Sequence, residues 1–350
     1  MSLSGTTPQT PFISVIIPTY CRPLSLDRCL ASLARQDFPR ESFEVIVVDD
    51  GGEPSVDAGA SAAAGVSLHL IFMRRPHRGV AAARTAGIKR ARGELLAFLD
   101  DDCTVRPDYL RSIENVFAKH PETMIVQVGL ENAEPRNIYG QAWKFALEQA
   151  LKSNLHPAQN DRLTCGILGG VMAARRELFR LTAYDRGFTS GREDADLRYQ
   201  LQKLDIPVYY EPDIAVFHYY RQSLRSCLAT FFAYGRGEFH LQYKWKDTPS
   251  PFRYATVISW RAFMSLLRTE GVRRGTAVYL IVLLKRNASL WGVLYEKSAS
   301  ALPERAAHRW ARFGWLLLAS YAACAACFGL ATLKRILRTM QLSGWHQPRV

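Results

Sequence analysis

Three acidic clusters hold most of the chemistry that this 350-residue sequence can offer. Asp100-Asp101-Asp102 is the densest: three successive carboxylates, each raising its neighbours' pKa unless water or a cation takes up the charge. Oxygen ligands with open positions suit Mg²⁺ or Mn²⁺, ions that bridge readily to phosphate oxygens. Asp49-Asp50 is the second cluster, suited to accept hydrogen bonds from a base or a ribose. Glu193-Asp194 is the third and opens a helical pattern. There, by residue type alone, it is a pair of first-turn acids that complement the helix dipole. Each cluster taken alone also has a plain structural reading.

The clusters need strands to position them. Phe12 to Ile17 is a continuous apolar run, as expected for a strand buried on both faces. Leu26, Cys29, Leu30 and Leu33 then recur at helical spacing. Phe43 to Val48 reads as a second strand that runs into Asp49-Asp50, Val66 to Phe72 as a third, and Leu95 to Leu99 as a fourth that runs into Asp100-Asp101-Asp102. Gly79 to Arg92 is helical, and Pro107 suits the first turn of a helix with Leu110, Ile113, Val116 and Phe117 inward. Alternating strands and helices imply an α/β fold with a mostly parallel sheet, and such sheets bind ligands at strand carboxyl ends. Both aspartate clusters fall on such ends. Residues 132–165 carry no legible motif. Beyond them, Leu197, Leu201 and Leu204 mark a helix, and Val208 to Tyr210 and Ile214 to Phe217 are strand-like, the latter closed by His218.

The order and spacing of Ser14-Val-Ile-Ile-Pro-Thr-Tyr20, Val47-Val-Asp-Asp-Gly51, Gly79-Val-Ala-Ala-Ala-Arg84, Phe98-Leu-Asp-Asp-Asp102 and Pro107-Asp108 resemble the amino-terminal half of family 2 glycosyltransferases. The resemblance covers residues 12–110 and extends loosely to about 240. It implies a GT-A fold, a Rossmann-like sheet binding a nucleotide-sugar (UDP-, GDP- or dTDP-linked) with Mn²⁺ or Mg²⁺. By the same resemblance Pro18, Thr19, Tyr20, Arg22, Asp49, Asp50, Arg84, Asp100 and Asp101 line the donor site, and Asp102 ligates the metal with Asp100 or His218 as further ligands. Asp194 is implied as the base of an inverting transfer, with Glu193 beside it. Gly169, Gly170 and Arg236 are implied on the acceptor side, although Gly170 equally suits a close backbone approach. Thr85 replaces the Asn that often follows the arginine. The Gln-x-x-Arg-Trp element of processive synthases is missing, since His308-Arg309-Trp310 has Ala306 where Gln belongs, so one sugar per encounter is expected.

Charge divides the chain. The total is +13, yet residues 1–218 sum to −2 and residues 219–350 to +15. A nucleic-acid binder would not keep acidic strand ends in its main domain, so no nucleic-acid partner is expected. A nucleotidyltransferase would open with a Gly-rich loop for the triphosphate, and Pro18-Thr19-Tyr20-Cys21-Arg22 is no such loop. A nucleotide-sugar-binding relative without turnover is the remaining alternative. The expected organisation is a catalytic domain over 1–218 with halves near 12–110 and 111–218, a basic helical extension over 219–272, and a hydrophobic, basic region over 273–350.

Within that last region residues 313–333 form a 21-residue uncharged run flanked by Arg309, Arg312, Lys334, Arg335 and Arg338, the length of a membrane helix. Thr276 to Leu284 is a shorter apolar run, cut by Lys285-Arg286 and too short to span alone. Anionic headgroups attract such flanks. The expectation is a peripheral or carboxyl-terminally anchored protein at the cytoplasmic face of a membrane, with a lipid-linked or membrane-presented acceptor. Seven scattered cysteines, without a framework spacing, read as thiols in a reducing compartment, and Cys324-x-x-Cys327 as apolar filler.

Overall fold

The computed structural model describes residues 12–53, 68–154, 163–164, 170–246 and 260–299. Gly169, the run 313–333 and the Cys324–Cys327 pair lie outside them. The described residues divide into two compact units: the first runs to Arg221 and takes in 240–246, and the second holds 222–239 and 260–299.

The first unit is built on one sheet. Its strands are β1 (Ile13–Thr19), β2 (Phe43–Asp49), β3 (Leu70–Arg74), β4 (Leu95–Phe98), β5 (Cys103–Val105), β6 (Ile125–Asn132), β7 (Leu163–Thr164), β8 (Met172–Arg175) and β9 (Val208–His218). They lie in the order β3-β2-β1-β4-β8-β6-β9-β5, with β7 against β9. The half made of β3, β2, β1 and β4 is parallel throughout. The other half is mixed, because β8 runs antiparallel to both β4 and β6 while β6 and β9 are parallel. The expected α/β sheet is therefore present, with its parallel character concentrated in the amino-terminal half.

Both faces of this sheet are covered. Every residue of β1 and β2 is buried, which is why these strands read as unbroken apolar runs. Ile13, Val15, Ile17, Val45 and Val47 face α1 (Pro23–Leu33) and α3 (Tyr109–Lys119). Ile16, Ile46, Val48, Leu96 and Phe98 face α2 (Val80–Arg90) and α6 (Glu193–Lys203). Between α3 and α6 lie α4 (Ile138–Asn154) and the single turn α5 (Leu178–Leu181). The third strand starts four residues later than its pattern predicts. The two strand-like runs after 208 are one strand, and its pairing with β6 shifts register between Val128 and Gly129. Helix α4 was illegible in the sequence because Tyr139, Trp143, Lys144 and Glu148 interrupt its apolar face.

The second unit contains two long helices, α7 (Leu224–Lys244, whose end returns to the first unit) and α8 (Trp260–Ala299, kinked at Gly271). They pack so closely that a methyl on Gly235 or Gly292 would overlap the opposite backbone. Helix α8 continues through Lys285-Arg286, which overturns the reading of Thr276–Leu284 as a run cut short there. Charge interrupts hydropathy, but Lys and Arg are good helix formers, and the Lys285 ammonium lies 4.2 Å from the Phe231 ring. By length and composition, the segment Phe263–Ala299 is long and apolar enough to cross a membrane.

At the amino ends of β1 and β2 a buried carboxylate closes the sheet. Glu44 accepts from Ser14 Oγ at 2.6 Å, the Arg92 amide at 2.7 Å and Arg92 Nε at 3.2 Å. Burial alone would raise its pKa, but these donors together hold it below the ordinary value. A lowered folded-state pKa means stability that is present above the unfolded pKa and lost as pH falls through the folded one. Glu44→Gln should therefore cost about 1–3 kcal/mol at pH 7. Denaturant titrations of the two proteins should converge below the ordinary carboxylate range.

Candidate active site

The carboxyl ends of β2, β1 and β4 lie side by side, because Thr19 pairs with Asp49 in register and the Leu99 amide donates to the Ile16 carbonyl. This brings the two aspartate clusters to one rim, as their strand-end positions predict.

Asp101 is fully buried. Its Oδ2 accepts from Thr19 Oγ1 at 2.7 Å and its Oδ1 lies 3.0 Å from Arg22 Nη2. Burial pushes its pKa up to about 7, with Arg22 opposing and Asp102 adding repulsion. Asp102 differs. Burial works against its charge too, but His218, Arg22 and Arg221 outweigh it and hold its pKa below the usual range. The two oxygens face different partners: Oδ1 lies 3.3 Å from His218 Nε2, while Oδ2 lies 2.5 Å from Arg22 Nη1 and 3.7 Å from Arg221 Nη1.

Strand pairing sets this geometry. Cys103 pairs with His218 across β5 and β9, and the Tyr219 amide donates to the Asp102 carbonyl at 2.9 Å. Tyr220 stacks on the His218 ring at 4.2 Å, and Trp143 of α4 lies against both. Asp102, Cys103 and His218 place ligand atoms within 4.8 Å of one another. The Cys103 thiol is a poor third ligand, because burial and Asp102 push its pKa well up. Asp102 Oδ1 and His218 Nε2 fit a small divalent cation, whose neighbouring ligands lie about 3 Å apart, and the mixed oxygen and nitrogen pair suits Mn²⁺ as well as Mg²⁺.

Asp100 points elsewhere. Its Oδ1 accepts from Arg84 Nη2 at 2.8 Å, and Arg84 Nη1 donates to Glu193 Oε1 at 2.5 Å. Asp100 therefore stands apart from the Asp102–His218 pair, and Arg84, read in the sequence as a donor contact, is a buried strut on α2. The facing carboxylates favour its charge strongly enough to overcome burial and raise its pKa. Burial raises the pKa of Glu193, with Arg84 opposing and Asp194 adding repulsion. Asp194 follows in the same first turn of α6, where its Oδ1 accepts from the Ala195 amide at 2.8 Å.

Asp50 is also occupied. It accepts from the Arg78 amide, from the Gly79 amide at 2.7 Å and from His77 Nδ1 at 2.8 Å, tying down the loop that opens α2. Gly79 has a φ of 86°, which only glycine adopts without strain. Asp49 takes the Gly51 amide on Oδ1. Tyr20, next to buried Thr19 and Pro18, is exposed and lies 4.4 Å from the His77 ring. Arg236 belongs to the second unit, where its Nε pairs with Glu296 at 2.6 Å. Arg221, His77, Tyr184, Trp143 and Tyr220 had no motif to announce them. The one available signal was the basic, aromatic run Tyr219-Tyr220-Arg221 directly after His218.

A family model described as glycosyl transferase family 2 matches residues 14–181, which hold the aspartate rim and Arg84. Residues 14–181 are a glycosyltransferase family 2 region. Validoxylamine A glucosyltransferase of Streptomyces hygroscopicus subsp. jinggangensis is 29% identical over 232 residues, covering 59% of this chain and 55% of the relative. Pre-mycofactocin glycosyltransferase of Mycobacterium tuberculosis is 27% identical over 279 residues, covering 77% and 55%. The crystal structure of S. aureus TarS overlaps 92% of this chain and 55% of its own at 16% identity, with a TM-score of 0.49. The chain spans about half the length of the curated relatives it matches.

Within this family 2 region, Gly170 lies against the Arg84 guanidinium, and a methyl there would overlap it. Gly170→Ala should displace the strut and destabilise the unit by about 1–3 kcal/mol, the usual cost of overpacking. Chemical denaturation measures that loss. An unchanged midpoint would mean that Arg84 has room to move.

Proposed function

We propose that the protein transfers one sugar, with inversion, from a UDP-, GDP- or dTDP-sugar to an acceptor hydroxyl. The observation that carries this reading is the convergence of Thr19, Arg22, Asp100, Asp101, Asp102, His218, Arg84 and Glu193 at the carboxyl ends of adjacent strands in one unit. Asp102 and His218 would hold Mn²⁺ or Mg²⁺, which supplies positive charge to the leaving diphosphate. Arg22 and Arg221, both on Asp102 Oδ2, are placed to turn toward the same phosphates. Thr19, Asp49 and Tyr20 line the rim where the nucleoside would lie.

Asp194 is the general base. It takes the acceptor hydroxyl proton as that oxygen bonds to the anomeric carbon, while the bond from this carbon to the diphosphate breaks and its electron pair leaves with the phosphate. Glu193, held by Arg84, stays beside it as an orienting acid.

Asp194→Asn removes the proton acceptor but keeps the shape, and should lower turnover by about 10² to 10⁴ with nucleotide affinity retained. The paired measurements are nucleoside diphosphate titration with Mn²⁺ and release of that diphosphate from the sugar donor. Near-normal turnover would remove Asp194 as base, and no turnover of any donor by the wild type would favour a binding protein.

The basic carboxyl third and the apolar helix α8 support action at the cytoplasmic face of a membrane, on a lipid-linked or membrane-presented acceptor in cell-envelope polysaccharide or glycolipid synthesis. Full-length protein should bind anionic vesicles in sedimentation assays and neutral ones less. The difference should shrink as salt shortens the Debye length from about 30 Å at 0.01 M to about 8 Å at 0.15 M. Equal partition would sink the electrostatic part.

A further inference from the structure

The helix that carries Glu193 and Asp194 begins poorly. Its N-cap residue, Arg192, has a left-handed φ of 76° and supplies no side-chain cap. Such backbone costs about 1–3 kcal/mol in a non-glycine residue and persists only where surroundings enforce it. The first turn also concentrates Glu193, Asp194 and Asp196, three acids that repel one another. Two cations from elsewhere in the chain answer them. Arg84 holds Glu193 on one side of Asp194.

Lys244, at the end of α7, meets Asp196 on the other side. The Asp196 side chain is fully buried. Its Oδ1 lies 2.8 Å from Lys244 Nζ and accepts from Trp245 Nε1, also at 2.8 Å, while Gln200 Nε2 donates to Oδ2. Lys244 donates in addition to Asp185 Oδ2 at 2.7 Å, and the Trp245 ring stacks against Tyr199 at 5.9 Å. One ammonium and one indole thus tie the loop before α6 and the first turn of α6 to a segment some fifty residues later. All these residues belong to the first unit.

We propose that Lys244 and Trp245 are positioning residues for the transfer reaction: by clamping Asp196 they fix the turn that presents Asp194. The proposal rests on the reading of Asp194 as the base. Displacement of a reacting group by about 1 Å can cost about 10² in rate, and a buried Asp196 deprived of its cation would push the turn outward to find water.

The test uses the full chain and three variants. Trp245→Phe keeps the ring against Tyr199 and deletes the N–H, Lys244→Met deletes the ammonium, and Lys244→Arg restores a cation. Two readouts are needed. The first is the split between nucleoside diphosphate affinity, probed with UDP, GDP and dTDP in Mn²⁺, and diphosphate release from the matching sugar donor. The second is hydrogen exchange of the Ala195 amide, which reports the Asp194 orientation because it donates to Asp194 Oδ1. Trp245→Phe and Lys244→Met should turn over about 10- to 100-fold more slowly, with nucleotide affinity within twofold and exchange at Ala195 at least about tenfold faster, while β1 and β2 amides keep their protection. Lys244→Arg should recover most of the rate. Unchanged exchange and turnover would overturn the clamp. So would a parallel loss of affinity, core protection and rate, the mark of a general fold defect. Wild-type turnover in Asp194→Asn would instead overturn the base assignment, and the two failures stay distinct because exchange at Ala195 tests the clamp without turnover.

Discussion

A single buried guanidinium holds the site together. Arg84 reaches from α2 to Asp100 at the end of β4 and to Glu193 at the start of α6, joining positions 93 residues apart in the chain. Glu193 is buried, so loss of the guanidinium would leave its side chain without a charged partner at depth, which is strongly destabilising. The guanidinium suits the task better than an ammonium, since its planar fork serves two acceptors at fixed angles. Gly170 leaves the space it needs, and the buried Tyr184 ring faces it at 5.5 Å.

The same logic, applied to each neighbouring acid, sorts the rim by task. Asp101 is buried beneath Thr19 and Arg22 and has a raised pKa, so its role is to brace the loop. Asp102 is held below its ordinary pKa by His218, Arg22 and Arg221 and presents one oxygen to His218. Asp50 spends its oxygens on the loop before α2. A row of aspartates that looks uniform in sequence therefore divides by environment, according to what each one faces. The divergence of environments at neighbouring carboxylates is the usual mark of a working site.

The second unit obeys a different constraint. Its helices meet through Gly235 and Gly292, a backbone-to-backbone approach that larger residues would prevent. Two of the charges on these helices pair within the unit, Arg236 with Glu296 and Arg274 with Glu270. Its apolar helix is long enough to span a bilayer, and the basic excess of the carboxyl third suits an anionic surface.

Strand and helix identity in the first unit were legible in sequence wherever a run was buried on both faces, as in β1 and β2, or kept strict helical spacing, as in α3. There, local pattern and burial are the same fact. The strand-end placement of Asp49-Asp50 and Asp100-Asp101-Asp102 followed directly, and so did the helix start at Glu193. Sequence could not tell where each carboxylate points, because that depends on partners brought in by pairing across long separations. His218 meets Asp102 only because β9 lies against β5, and Arg84 meets Glu193 only because α2 and α6 share one face of the sheet. Helix α4, with Trp143 stacked near His218, was invisible because its polar and aromatic residues obey contacts rather than periodicity. Lys244 and Trp245 read as one more piece of a basic tail, and only folding makes them partners of a buried aspartate beside the proposed base. Residue type and spacing determined which groups could react, and long-range pairing decided which of them face one another, since charge interactions depend on distance in space and not on distance along the chain.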